Sequence, residues 1–261
     1  MKRIVAAAFA VSLLAPASAF AVGPVDPSAA APHFEYSGDE GPFWWGEIDP
    51  IYADCSVSLR QSPIDIPREV SARTRTNLAV TFAPGAINMK NNGHTVVQSF
   101  SPGSTFVLEG VTYDLLQFHL HTTSEHTVQG RRYPMELHAV FRDAVSGNLA
   151  VIGQLFEVDR RGTENEFLHD LTQFGLPEKT DDTVTNAAEI DLADLIDAKQ
   201  LATYWSYPGS LTTPPCSPIV SWFVLRKPVR ASQAQIQEFI DVMGNNYRPV
   251  QALNGRTIER K

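Results

Sequence analysis

The chain has 261 residues, 43% of them hydrophobic and 19% charged, with a formal net charge of −8. A chain of this length buries a full core without relying on cross-links. Its acidic balance and lack of a basic run argue against a nucleic-acid partner, and past the N-terminus no apolar stretch is long enough to span a bilayer.

Lys2 and Arg3 precede an apolar run from Ile4 to Leu14, and Ala17-Ser18-Ala19 and Ala19-Phe20-Ala21 follow it. This order predicts a secretory signal over 1–21, cleaved after Ala19 or Ala21, with an apolar run too short to serve as a membrane anchor. Losing Lys2 and Arg3 takes the charge from −8 to −10. A signal of this bacterial style predicts a periplasmic or secreted protein. The Ala/Pro/Ser-rich stretch that follows predicts a flexible N-terminal segment over 22–33. From Phe34 onward there is no linker, repeat or low-complexity stretch, which predicts one domain over 34–261. Cys55 and Cys216 permit a single pairing. An oxidising compartment favours a disulfide between them, and the alternative is two unrelated buried thiols.

Strands are predicted at Leu78 to Phe82, Thr95 to Phe100, Thr105 to Leu108, Leu115 to His121, Met135 to Arg142, Leu149 to Glu157 and Ile219 to Leu225. Each is rich in β-branched, aromatic or leucine residues, and turn signals such as Asn91-Asn92-Gly93 and Ser146-Gly147-Asn148 separate them. Glu164 to Phe174 reads as a weak helix. Between the last two strands, Tyr204 to Cys216 sets prolines and a glycine around Thr212-Thr213 and reads as a rigid loop, not a strand. Ser232 reads as the cap of a helix that Gly244 stops. The class is mainly β, with short helices at the surface.

His119 and His121, spaced i, i+2 on a predicted strand, project from one face. His138, on the Met135 to Arg142 run, can complete a face of three nitrogens. Three neutral imidazoles with an open fourth position hold a catalytic zinc, which activates water. Gln117, Glu125 and Glu136 read as partners that orient the ligating rings. Of the other histidines, His33 and His169 are read as having no role and His126 as structural. Neither cysteine stands at a zinc-ligand spacing from the histidines.

These motifs occur in a fixed order: Gln61-Ser62-Pro63-Ile64-Asp65-Ile66, Asn91-Asn92-Gly93-His94, Gln117-Phe118-His119-Leu120-His121, Ser124-Glu125-His126-Thr127, Tyr133 to His138, Tyr204 to Pro215, and Asn246-Tyr247-Arg248-Pro249. Together they resemble an α-class carbonic anhydrase of the bacterial, exported kind, over nearly the whole chain after the signal. The resemblance implies a single domain on a large twisted, mostly antiparallel central sheet with short surface helices. It implies reversible hydration of carbon dioxide to bicarbonate and a proton by zinc-bound hydroxide, with a histidine proton shuttle. His119, His121 and His138 would bind Zn²⁺, with Gln117 and Glu136 accepting the distal N–H of His119 and His138. His121 would donate to a backbone carbonyl near Asn246.

By the same resemblance, Thr212 would accept a hydrogen bond from the hydroxide and donate one to Glu125, and its N–H would hold a substrate oxygen. Val140, Val151, Leu211, Val220 and Trp222 would form the apolar wall for carbon dioxide, and Thr213 would contact bicarbonate. His94 would shuttle protons through water held near Tyr36 and Asn92. Cys55 and Cys216 fall where secreted members are bridged, and bacterial relatives imply a homodimer. Two positions depart from the pattern. Val97 stands where many relatives place a polar side chain at the cavity rim, with Gln98 turned to the other face, and Trp44 adds an aromatic beside Trp45. The competing functions are a catalytically silent binding module of the same fold and an exported zinc esterase.

Overall fold

The computed structural model describes residues 31–70 and 72–261, so the predicted signal and most of the 22–33 segment lie outside the described residues. Residues 32–261 form one compact unit.

The strand Val111–Thr122 runs for 12 residues and carries both histidines of the His-x-His motif. It pairs antiparallel with Met135–Arg142, and that strand pairs antiparallel with Leu149–Val158. Beyond these, Val220–Leu225 lies parallel to Leu149–Val158, and Tyr204–Gly209 lies antiparallel to Val220–Leu225. On the other side follow Val96–Ser99, Gly85–Asn91 and Thr183–Ile190, all antiparallel. Among the described residues the sheet has 13 strands and is mixed but mostly antiparallel.

Alternation divides the central strands between two sides. Phe118, Leu120, Leu137, Ala139, Phe141, Ala150, Ile152 and Phe156 belong to the main apolar core. The intervening Val140, Val151 and Leu155 belong to a second cluster on the opposite face. Two helices cover the main core. Gln233–Met243 contributes Ile236 and Phe239, and Glu166–Thr172 contributes Phe167, Leu168 and Leu171. Each fully buried Leu, Ile or Phe there contributes roughly 1.5–3 kcal/mol. Cohesion therefore rests largely on that side, and the opposite face is free to hold polar groups.

Most predicted strands appear with ends shifted by a residue or two; Leu115 to His121 extends back to Val111. The reading of Tyr204 to Cys216 as a loop throughout is corrected: Tyr204–Gly209 is a strand, and the loop begins at Ser210. Pro208 is tolerated because the neighbouring C-terminal strand pairs only with Trp205 and Ser206, so no ladder donor is required of it on that side. Among the described residues two further long strands are unpredicted, besides short ones of two or three residues such as Asp65–Ile66 and Val229–Ala231. Gly85–Asn91 is rich in Gly, Asn and Lys, and its alternating burial is carried by Ile87, Met89 and the amide Asn91. Thr183–Ile190 is an edge strand with a register shift between Asn186 and Glu189.

The helix at Ser232 forms as expected, with a reciprocal capping box between Ser232 and Gln235, and ends at Gly244, whose φ of 62° suits glycine. The weaker helix is shorter than expected, Glu166–Thr172, and is capped by Asn165.

Candidate metal centre

Pairing places His119 directly opposite His138, and His121 opposite Glu136. The three histidine rings stand 4.6–5.2 Å apart by centroid. Each offers one nitrogen to a common point, all within 4.8 Å of one another. The opposite nitrogen of each ring is engaged. His119 Nδ1 donates to Gln117 Oε1 at 3.0 Å, His121 Nδ1 to the Asn246 carbonyl at 2.6 Å, and His138 Nε2 to Glu136 Oε1 at 2.9 Å. These bonds select the tautomers that leave His119 Nε2, His121 Nε2 and His138 Nδ1 facing one another.

Burial holds the His119, His121 and His138 imidazoles below their ordinary pKa, His121 at about 4. They are therefore neutral at pH 7, the form that binds a metal. His121 Nε2 is buried and has no protein hydrogen-bond partner. A buried orphan nitrogen in a set of three neutral imidazoles fits zinc.

Glu136 is saturated. Its Oε1 also accepts from His126 Nδ1 at 2.7 Å, and its Oε2 accepts the amides of Glu125 and His126 at 2.9 and 2.8 Å. Burial works against its charge, but the attraction of His126 and His138 and their hydrogen bonds outweigh it and hold the carboxyl well below the usual range. Gly153, paired across from His138, leaves room for this carboxylate; a Cβ there would meet Glu136 Oε1 at 2.9 Å. His126 continues the chain, its Nε2 lying 2.6 Å from the Tyr207 hydroxyl, which donates to Ser62 Oγ at 3.0 Å.

Glu125 has a different environment. Its Oε1 accepts the Arg248 amide at 2.8 Å, and its Oε2 lies 3.5 Å from His121 Nε2 with no hydrogen bond of its own. Burial pushes its pKa up to about 7 despite the opposing pull of His138, the Arg248 amide and the Thr212 hydroxyl. Arg248 is buried and is held by the Gln61 side chain and the carbonyls of Ser62 and Cys55.

Thr212 is buried on a loop that is pinned at several points. Ser210 and Ser62 exchange amide-to-hydroxyl bonds at 2.9 and 3.1 Å, Trp222 Nε1 donates to the Ser210 carbonyl at 3.0 Å, and Gln61 Nε2 donates to the Cys216 carbonyl at 3.0 Å. Cys55 and Cys216 form a disulfide that ties this loop to the short N-terminal helix Asp54–Val57. Thr213, half-buried on the same loop, accepts the Cys216 amide through its carbonyl. Val140, Val151, Val220 and Trp222 belong to one apolar cluster with Leu211 packed against it, and the Trp222 ring stands 4.8 Å from that of His138.

His94 follows a turn closed by Asn92, whose Oδ1 accepts the amides of His94 and Thr95 at 2.9 Å each. The His94 ring stacks on Phe34, with centroids 3.8 Å apart and planes 12° apart, and its Nδ1 is buried without a partner. Burial lowers its pKa; Glu35 acts against this and His33 with it. Tyr36, edge-on to His94, has a buried hydroxyl with no hydrogen-bond partner; burial, then the charge of Glu125, raises its pKa well above the ordinary value. Val97 pairs with His119, while Gln98 is buried and bonds to Asn88 and Ala86. Trp45 is buried, its indole shared between the Glu35 and Glu40 carbonyls, while Phe43 and Trp44 are exposed.

The sequence alone assigns no role to Arg248 or Tyr207, and none to His33, whose ring stands 6.1 Å from that of His94. Only the quoted Tyr204 to Pro215 and Asn246 to Pro249 motifs pointed toward the first two.

The family model described as eukaryotic-type carbonic anhydrase matches residues 40–261. A carbonic anhydrase of Nostoc sp. is 37% identical over 227 residues, covering 85% of this chain and 84% of the relative. One from Klebsiella pneumoniae is 38% identical over 234 residues, covering 87% and 91%. The solved α-carbonic anhydrase of Thermovibrio ammonificans, in complex with the inhibitor sulfanilamide, superposes with a TM-score of 0.83 at 38% identity, covering 88% of this chain and all of that one.

Proposed function

The chain belongs to the eukaryotic-type, or α, carbonic anhydrase family, and we propose that it hydrates carbon dioxide reversibly to bicarbonate and a proton at a zinc held by His119, His121 and His138. The observation that carries this reading is the convergence of three neutral imidazole nitrogens within 4.8 Å beside a buried apolar cluster. Zinc bound there would act as a Lewis acid that makes hydroxide available near neutral pH.

The protein's own groups do the rest. Gln117, the Asn246 carbonyl and Glu136 fix the ring orientations. An ionised Glu125 only accepts hydrogen bonds, so it turns the Thr212 hydroxyl into a donor toward itself and leaves the Thr212 oxygen to accept from the reacting water. The Thr212 N–H and Thr213 are then placed to hold bicarbonate oxygens. Carbon dioxide is small and apolar, and Val140, Val151, Leu211, Val220 and Trp222 offer it a surface without a polar grip. His94 carries the released proton outward, through water held by Tyr36 and the amide of Asn92. The buried, unpartnered Tyr36 hydroxyl supports a water there.

The Cys55–Cys216 pairing supports export to an oxidising compartment, the periplasm or the medium. Among the described residues no helix is long and apolar enough to cross a membrane. A homodimer rests on the family resemblance alone, and sedimentation of the purified protein tests it.

The deciding experiment measures metal content and stopped-flow hydration on the same sample. The native protein should hold one zinc per chain and hydrate carbon dioxide, and His119→Ala should lose both. Full zinc occupancy and activity in His119→Ala would sink the assignment. Ester cleavage that exceeds hydration would favour the esterase, and zinc without turnover would favour the silent module.

A further inference from the structure

His33, read from sequence as having no role, stands beside His94 at the surface. Its Nε2 lies 2.9 Å from Glu35 Oε1 and 3.9 Å from Glu40 Oε2, and its side chain is 64% exposed. His94 is less open. Phe34 covers one face of its ring, and its Nδ1 is buried. The two histidine rings are 6.1 Å apart by centroid. At that separation, ring nitrogens that face each other are spanned by one water with two hydrogen bonds of about 2.8 Å. Glu35, Tyr36 and His94 also line one open cavity of about 640 Å³, which admits water beside the His94 ring.

We propose that His33, with Glu35 and Glu40, is an outer proton-exchange station that connects His94 to buffer in solution. The inference rests on the reading of His94 as the shuttle and extends it by one step. During hydration an N–H bond of the His94 imidazolium breaks, a bridging water passes a proton on, and an N–H bond forms on neutral His33. His94 is left neutral and His33 cationic between two carboxylates. A buffer base then removes the proton from His33, and dehydration runs the same path backward. The station is useful because buffer meets an exposed imidazole more readily than one stacked under Phe34. The acidic pair also raises the local concentration of cationic buffer acids.

The test is stopped-flow kinetics on the zinc-loaded full chain, from dilute to concentrated buffer, comparing the native protein with His33→Gln, the double variant Glu35→Gln/Glu40→Gln, and His94→Ala. His33→Gln should lower kcat by about twofold or more in dilute buffer, leave kcat/KM unchanged, and regain native kcat in concentrated buffer. The double variant should shift kcat in the same direction. If His94→Ala lowers kcat in dilute buffer and His33→Gln does not, the outer station is overturned while the shuttle stands. A fall in kcat/KM in His33→Gln overturns it too, because that result marks a structural disturbance. If His94→Ala leaves kcat in dilute buffer unchanged, the shuttle itself falls and the station falls with it.

Discussion

Thr212 and Glu125 form the most consequential pair of single residues. Thr212→Ala should keep zinc, because no nitrogen of the proposed ligand histidines bonds to it, yet lose the hydroxyl proposed to orient the attacking oxygen. One hydrogen bond to a charged group is worth about 1.5–3 kcal/mol, or roughly tenfold or more in kcat/KM. An unchanged kcat/KM at full zinc content would show that another group orients the oxygen. The three histidines of the proposed zinc site also make a prediction for the metal-free protein. Their pKa values lie below the unfolded 6.5, His121 at about 4. Below about pH 6.5 the unfolded chain therefore takes up protons that the folded chain refuses, and stability falls as pH drops toward 4. Glu125, raised to about 7, acts in the opposite sense: the folded chain keeps its proton from about 4.5 to 7, so its contribution falls as pH rises through that window. Three imidazoles against one carboxyl decide the sign. The chelated protein should unfold at lower urea near pH 5 than near pH 7, and equal midpoints would show that the cluster does not control stability.

At the scale of elements, the helix Gln233–Met243 braces the site from behind. Gln235 caps its own helix through Ser232 and also bonds Asn165, the cap of Glu166–Thr172, at both its amide oxygen and nitrogen. One side chain thus holds two helix starts together. Past Gly244 the chain delivers Asn246, whose carbonyl takes His121 Nδ1 and whose side chain bonds Thr122, His94 and Leu120. Ser232→Ala removes one cap and should cost about 1 kcal/mol of stability. It should leave hydration unchanged, because Asn246 is held by its own bonds to the histidine strand. A drop in kcat/KM at unchanged zinc content would mean that the cap governs the site geometry directly.

At the scale of the whole molecule, the disulfide closes a span of 161 residues from the helix Asp54–Val57 to the Thr212 loop. The chain-entropy account gives about 5 kcal/mol for such a loop, an upper bound in practice. Reduction should lower the thermal midpoint and, by loosening the loop at Cys216, lower kcat more than zinc content. Two free thiols on the protein isolated from its source cells, shown by mass labelling, would remove the premise. Much of this molecule is legible in local sequence. Alternation alone puts His119 and His121 on one strand face and His138 on another strand, and Ser232 and Gly244 bound a helix, because both patterns depend only on neighbouring residues. Tertiary contacts decided the remainder. Tyr204–Gly209 becomes a strand despite Pro208 because its partner, Val220–Leu225, supplies the ladder on one side. Gly85–Asn91, weak in strand-forming residues, is held between two other strands. The Arg248 amide reaches Glu125, and His33 lies beside His94, across long separations in the chain. Local propensity carries no information about which distant residues meet; the pairing of strands in the sheet and the packing of the N-terminal and C-terminal segments around the site brought these groups together.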